Sequence, residues 1–152
     1  MATALRLLPA LSPVHRERLM GVAREVSFPA DGRIFEEGGT ADRFWVVRSG
    51  TVSLYQRVIG ERRISVAQLG PGDLLGWSWL FPPHTWDFGA EAFSPVRAYE
   101  FDAGEVRGLC EEDPTLELSL TRTIGAILAN RLETTRTALI EHYARHGGST
   151  LG

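Results

Sequence analysis

Short apolar runs separated by glycines fill the middle of the chain, from residue 25 to residue 102. Each glycine can take a backbone conformation that suits a tight turn between strands. Many short strands with closely spaced turns predict a mainly β architecture, either a sandwich or a barrel. The glycines that separate the runs are Gly32, Gly38, Gly39, Gly50, Gly60, Gly70, Gly72, Gly76 and Gly89.

The run 51–58 has the clearest strand pattern, because apolar and polar side chains alternate along it. Gly60-Glu61 is typical of a hairpin turn to the next run, 63–69. The sequence therefore predicts a half-buried strand and its hairpin partner. The alternation assigns Val52, Leu54 and Val58 to the buried face, and Thr51, Ser53, Tyr55 and Arg57 to the exposed face.

A helical period replaces the strand pattern at both ends of this region. Ser12 followed by Pro13 is a favourable N-cap and first-turn pair, and it predicts an N-terminal helix over 12–24. Its inward-facing residues are expected to be Val14, Leu19, Met20 and Ala23.

Two further helices are predicted over 103–146. Asp102 and Glu105 form a capping-box-like start, and Asp113 with Pro114 begins a second, longer helix. Gly125 lies inside that helix and weakens it by about 1 kcal/mol relative to alanine. Residues 147–152 form a tail. An apolar stripe follows one face of the long helix through Leu120, Ile124, Leu128, Leu132, Thr135 and Leu139.

Composition sets limits on function. The 152 residues are 43% hydrophobic and 23% charged, which predicts one globular domain over residues 1–146. The net charge of −3 gives no basic excess for nucleic acid or an anionic membrane, and all 16 basic residues are arginine. A single cysteine, Cys110, allows no internal disulfide. With no signal-peptide pattern and no long apolar run, we expect a cytoplasmic protein without a membrane segment.

Three segments together resemble the cyclic-nucleotide-binding domain family, which includes the sensor domains of catabolite-activator and fumarate–nitrate regulator type. They are 32–52, 68–76 (Gln-Leu-Gly-Pro-Gly-Asp-Leu-Leu-Gly) and 94–102. The resemblance implies a double-stranded β-helix, or jelly roll, with an N-terminal helix and a long C-terminal helix. It also implies that the segment from Gly76 to Gly89 is the family's phosphate-binding cassette.

This cassette departs from the family pattern at two positions that matter for binding. In the family a glutamate follows the first glycine and takes a ribose hydroxyl, and a later arginine pairs with the cyclic phosphate. Here Trp77 follows Gly76, Trp86 stands at the arginine position, and the cassette contains no Arg or Lys. A charge-assisted hydrogen bond to phosphate is worth about 1.5–3 kcal/mol. We therefore do not expect cyclic AMP to bind in the family's usual manner.

The aromatic cassette has two interpretations. Its side chains either line a pocket for a planar or apolar ligand, with any anionic group on the Gly76–Ser78 amides, or they fill the former pocket as core. A third hypothesis is a cyclic-nucleotide receptor with non-standard contacts, to which Arg62, Arg63 or Arg97 would supply the cation. No cofactor is assigned. The candidate pocket comprises Gly76, Trp77, Ser78, Trp79, Trp86, Asp87 and Phe88.

Other chemistries find little support in the residues. None of the four histidines lies in a predicted strand, so a metal site is not expected, and no catalytic motif is present. The chain ends about where the regulators' helix-turn-helix domain would begin, so we expect no nucleic-acid binding by this chain alone.

We interpret the chain as a stand-alone regulatory or sensor domain, not an enzyme. The alternative is a ligand-free interaction scaffold, and the sequence does not identify the partner protein. The long helix is the candidate dimer helix, through Leu120, Ile124, Leu128, Leu132 and Leu139, unless it only covers its own barrel.

Overall fold

A computed structural model describes residues 5–58 and 62–146. Within these residues, eight strands form two four-stranded antiparallel sheets, with the strand orders β1-β8-β3-β6 and β2-β7-β4-β5. This arrangement confirms the predicted mainly β roll. The strands are β1 (Arg24–Phe28), β2 (Arg33–Phe35), β3 (Arg43–Ser49), β4 (Val52–Arg57), β5 (Arg63–Leu69), β6 (Leu74–Leu75), β7 (Gly89–Ala92) and β8 (Val96–Asp102).

Strand β3 is buried on both faces, because Phe44, Trp45, Val46 and Val47 are all buried. Successive side chains on a strand point to opposite faces. Trp45 stacks on Phe35 of the second sheet, with ring centroids 5.5 Å apart, so its face is the roll interior. The side chain of Phe44 therefore points to the outer face of the sheet, and another part of the chain has to bury that face. The C-terminal helices contribute buried residues on this side.

The N-terminal helical region begins and ends earlier than predicted and is divided in two. It consists of α1 (Leu7–Ala10) and α2 (Pro13–Met20), and not one helix over 12–24. The Ser12 cap is confirmed, since its hydroxyl oxygen accepts a hydrogen bond from the backbone N–H of His15. The helix ends at Met20 because β1 begins at Arg24. Leu19 is buried as expected, but the prediction for Val14 is wrong, since it is 67% exposed.

The predicted alternation in β4 is correct for Val52 and Leu54 and wrong at two positions. Ser53 is buried, because β4 is an interior strand and Ser53 lies between Gln68 of β5 and Glu91 of β7. Val58 is 40% exposed, because the strand ends one residue before it. The predicted turn at Gly60-Glu61 lies outside the described residues, but β4 and β5 do pair antiparallel.

The C-terminal helices are α3 (Ala103–Glu112) and α4 (Pro114–His146). Both predicted N-caps are confirmed: Asp102 accepts from the N–H of Glu105, and Asp113 accepts from the N–H groups of Thr115 and Leu116. The N-terminal half of α4 is buried against the rest of the domain and packs chiefly on α3 and α1. Its buried residues are Leu116, Leu120, Ile124 and Ile127.

The C-terminal part of α4 leaves the roll. Every residue from Leu132 to His146 is exposed. At 1.5 Å per residue this part is about 22 Å long. The apolar stripe predicted along α4 is therefore divided. Its first part is buried in the core, and its second part is exposed to solvent.

Candidate functional site

The cassette begins at a backbone turn that only glycine accepts easily. Gly76 follows β6 and has φ of +88°, in the left-handed region. A Cβ added there would lie 2.9 Å from the ring of Trp86. Gly76 is thus needed twice, for the turn and for the close approach of an indole ring to the backbone.

Trp86 lies inside the roll and is only 5% exposed. Its ring stacks on Phe35, with centroids 4.0 Å apart and planes 17° apart, and it also meets Trp45 at 5.8 Å. A cavity of about 20 Å³ remains beside it. That volume has room for roughly one water molecule. Trp86, which stands at the position where the resemblance expects an arginine, is therefore packed inside the roll.

Six of the seven candidate pocket residues line this small cavity, and Trp79 does not. The one-turn 3-10 helix at Ser78–Leu80 directs Trp79 to the opposite side of β3, where it stacks on Phe44 with centroids 5.0 Å apart. Its backbone carbonyl accepts a 2.6 Å hydrogen bond from Arg107 of α3. Trp79 is thus part of the core between the roll and the helices, which corrects its assignment to the pocket. The residues on the cavity are Gly76, Trp77, Ser78, Trp86, Asp87 and Phe88.

These six differ in what they offer to a ligand. Trp77 and Phe88 are half-buried, Ser78 is buried and Asp87 is exposed. The helix that begins at Ser78 is one turn long. A single turn provides little of the aligned backbone dipole that a longer helix directs at an anion. The amide groups that were predicted to receive an anionic group are therefore weak donors for that purpose.

The three arginines suggested from the sequence do not line this cavity. Arg63 lies over the ring of Tyr55, 4.4 Å from its centroid, and pairs with Glu91. That hydrogen bond raises the pKa of Arg63. Arg62 and Arg97 are exposed.

A different arginine reaches the cavity, and sequence reasoning missed it. Arg131 of α4 lines the cavity together with Gly76 and Trp86. Its Nη2 donates a 2.6 Å hydrogen bond to the carbonyl oxygen of Leu74. Burial lowers the pKa of Arg131, and the charge of Asp73 partly offsets that effect. The sequence shows Arg131 as one of several arginines beside the apolar stripe, with no signal that singles it out.

The comparisons with known proteins agree with this architecture. The family model described as "Cyclic nucleotide-binding domain" matches residues 25–113, which is more than half of the chain. The chain belongs to the cyclic nucleotide-binding domain family. It is 29% identical over 116 residues to the "CRP-like cAMP-activated global transcriptional regulator" of Mycobacterium tuberculosis, a match that covers 76% of this chain and 50% of that protein. The chain thus spans about half the length of the curated relatives it matches.

Solved structures of this family show the same fold. The N-terminal domain of a transcriptional regulator from Streptomyces coelicolor A3(2) has a TM-score of 0.69 at 27% identity, covering 90% of this chain and 95% of that chain. A cyclic nucleotide-binding domain from Methylobacillus flagellatus KT has a TM-score of 0.77 at 18% identity, covering 93% and 76%. The predicted family and fold are therefore confirmed.

The five candidate dimer residues of α4 differ in how far they are buried. Leu120 and Ile124 are buried in the chain's own core, so they offer no surface to a second copy, which corrects their place in the candidate set. Leu128 is partly buried against that core. Leu132 and Leu139 remain, 68% and 52% exposed. The stripe is divided because only the first half of α4 packs against the rest of the domain.

Two negative observations apply to the part of the chain that the structure describes. Within residues 5–58 and 62–146, no cluster of three His, Cys, Asp or Glu side chains is arranged to hold a metal ion. None of the described helices combines the length and the apolar character needed to span a bilayer.

Proposed function

We propose that this chain is a regulatory domain whose roll interior is filled by its own Trp86, so that no cyclic nucleotide occupies the family's site. The observation that carries the proposal is the stacking of Trp86 on Phe35 beside Gly76, with about 20 Å³ left over. Small-molecule pockets in proteins usually measure about 300–1,000 Å³. The remaining space is therefore an order of magnitude too small.

The energetics of displacement support the same conclusion. A ligand could enter only if the indole ring of Trp86 left the core. Truncating a buried tryptophan typically costs about 3–5 kcal/mol, which sets the scale for losing its contacts. Every 1.4 kcal/mol is a factor of ten in affinity, so displacement would weaken the binding of a nucleotide by about two to four orders of magnitude. The missing cassette arginine weakens it further.

The output of such a domain is the surface of α4. The first half of this helix contributes Leu120, Ile124 and Ile127 to the buried core, whereas its second half projects with exposed Leu132 and Leu139. We propose that the projecting part binds a second copy of the chain. In this role the domain is neither an enzyme nor, by itself, a nucleic-acid-binding protein.

Thermal denaturation with cyclic nucleotides tests the filled roll. A ligand at one hundred times its Kd stabilises a protein by about 2.7 kcal/mol. We expect no shift in Tm for the wild type with millimolar cyclic AMP, cyclic GMP or cyclic di-GMP. We expect the variant Trp86→Ala to lose about 3–5 kcal/mol of unfolding free energy in urea, as a core tryptophan does.

The half-buried Trp77 provides the matched control, because Trp77→Ala removes the same ring from the same cassette with less buried surface. A smaller loss is expected for it. Micromolar binding of a cyclic nucleotide to the wild type, weakened by Trp77→Ala, would favour the receptor hypothesis and contradict the filled roll. Equal and small losses in the two variants would show that Trp86 is not part of the core.

A further inference from the structure

A cleft of about 290 Å³ lies where the cassette meets the two C-terminal helices. It shares no lining residue with the small cavity beside Trp86, so the two spaces are distinct. Its volume is close to the lower end of the range for small-molecule sites, about 300–1,000 Å³. The larger apolar side chains of its lining are Trp79 and Leu80 from the cassette and Leu120 from α4.

Trp79 brings an unused hydrogen-bond donor to the lining of this cleft. The residue is only 2% exposed, and its indole N–H is buried without an acceptor among the described residues. A buried tryptophan N–H usually has a partner, because the group loses its hydrogen bond to water when the chain folds. A molecule in the cleft that carries an oxygen acceptor would satisfy this donor.

Two carboxylates on the cleft have no positive partner in the part of the chain that the structure describes. Glu111 of α3 and Glu117 of α4 both line the cleft and are exposed at its edge. Neither has an arginine or histidine nitrogen of the described residues within 4.0 Å, whereas the adjacent Glu112 pairs with Arg18. Ionised carboxylates only accept hydrogen bonds, so the two groups favour a cation that donates them.

Arg107 is the basic residue of this lining, and its guanidinium is already engaged. It donates a 2.6 Å hydrogen bond to the backbone carbonyl of Trp79 and lies 5.7 Å from the centroid of that ring. The lining therefore has two negative side chains and one positive side chain. Burial raises the pKa of the Cys110 thiol in the same lining, and the negative charges of Glu117 and Asp113 raise it further.

We propose that this cleft binds a small organic amine that carries an aromatic or apolar body and an oxygen acceptor. The ammonium group pairs with Glu111 and Glu117. The body lies on Leu80 and Leu120, and the oxygen accepts a hydrogen bond from the indole N–H of Trp79. Such a molecule would contact the cassette, α3 and α4 together. The proposal goes beyond the filled roll and does not depend on it, because the cleft and the cavity beside Trp86 have no residue in common.

The experiment compares neighbouring carboxylates. The double variant Glu111→Gln with Glu117→Gln removes both negative charges from the cleft, and the control Glu112→Gln removes one from the next position of α3, outside the lining. The probes are tyramine, phenethylamine, which lacks the hydroxyl oxygen, and 3-(4-hydroxyphenyl)propionate, which has a carboxylate in place of the ammonium group. Isothermal titration calorimetry on the full chain at low salt measures binding, since salt screens exposed ion pairs.

We expect tyramine to bind the wild type and Glu112→Gln with equal affinity, and to bind the double variant at least tenfold more weakly. Phenethylamine should bind the wild type more weakly than tyramine, and 3-(4-hydroxyphenyl)propionate should not bind. The Tm of the free double variant should stay close to that of the wild type, because both substituted side chains are exposed.

The indole N–H of Trp79 provides a readout of where the amine binds. The chain has four tryptophans, and the indole 1H–15N signal that is missing from Trp79→Phe identifies this one. Tyramine should shift that signal in the wild type. The proposal is overturned if millimolar tyramine does not bind, if the double variant binds it as tightly as the wild type, if the propionate binds as well as the amine, or if the Trp79 signal does not move. Cyclic nucleotides are anions, so the test of the filled roll can fail or succeed independently of these results.

Discussion

Single residues decide what the cassette of this protein can hold. Trp86 places a large apolar ring where the resemblance expects a cation, and the ring stacks on Phe35 inside the roll. The exchange is feasible because Gly76 has no side chain and Trp86 can lie directly against its backbone. On the proposal above, the loss of a phosphate partner and the filling of the phosphate site would follow from the same residue.

Gly76 and Gly108 form a matched pair for testing this packing. Gly76→Ala places a methyl group at φ +88° and 2.9 Å from Trp86, so we expect it to lower the unfolding free energy by about 1–3 kcal/mol. Gly108 lies inside α3, and a Cβ there meets nothing within 4 Å. Gly108→Ala should raise stability by about 0.5–1 kcal/mol. Urea denaturation at pH 7 measures both changes, and a stabilising Gly76→Ala would show that the turn tolerates side chains.

At the scale of secondary structure, the local signals at helix ends are reliable and the lengths of elements are less so. The caps at Ser12, Asp102 and Asp113 involve groups within three residues of each other, so a short stretch of sequence contains the whole interaction. The end of α2 depends on where β1 pairs with β8. Because that partner lies far along the chain, the pattern near the helix does not reveal it.

The cap of α4 leads to a prediction about pH. Hydrogen bonds from the hydroxyl of Thr115 and the N–H of Leu116, with the charge of Arg18 nearby, hold the pKa of Asp113 below its ordinary value. A carboxyl whose folded pKa is lowered stabilises the protein above its unfolded pKa, which is about 3.9 for aspartate. That contribution is lost as the pH falls through the lower, folded pKa.

We therefore expect Asp113→Ala to have a lower Tm than the wild type at pH 7. The difference should shrink when both proteins are measured below about pH 3.9. Asp113→Asn keeps an acceptor at the cap and should fall between the two at pH 7. A difference between wild type and Asp113→Ala that grows on acidification would contradict this assignment.

At the scale of the whole molecule, α4 connects the roll to a surface outside it. The helix continues about 22 Å beyond its last contact with the roll, and the exposed apolar side chains there include Leu132, Leu139, Ile140 and Tyr143. Helices in proteins gain most of their stability from packing an apolar face against another surface. A second copy of the same helix would provide such packing symmetrically.

Analytical ultracentrifugation tests this association. We expect the wild type to be a dimer at high micromolar concentration and the double variant Leu132→Glu with Leu139→Glu to be a monomer, because four carboxylates would enter the interface. Thr137→Glu, on a different face of the same exposed stretch, should leave the dimer intact. A monomeric wild type at that concentration, or dissociation by Thr137→Glu alone, would count against a dimer through this face.

The sequence by itself determined the family, the mainly β roll and the helix caps, because all three depend on residues close together or on glycines at turns such as Gly76. It also showed that the cassette lacks a cation. Only the tertiary structure decided that Trp86 stacks on Phe35 inside the roll whereas Trp79 packs on the other face of β3. The tertiary structure also decided which part of the apolar stripe on α4 is buried, and it brought Arg131 into contact with Leu74, 57 residues away in the chain. These outcomes depend on which surfaces meet when sheets and helices pack, and the periodicity of one segment does not contain that information.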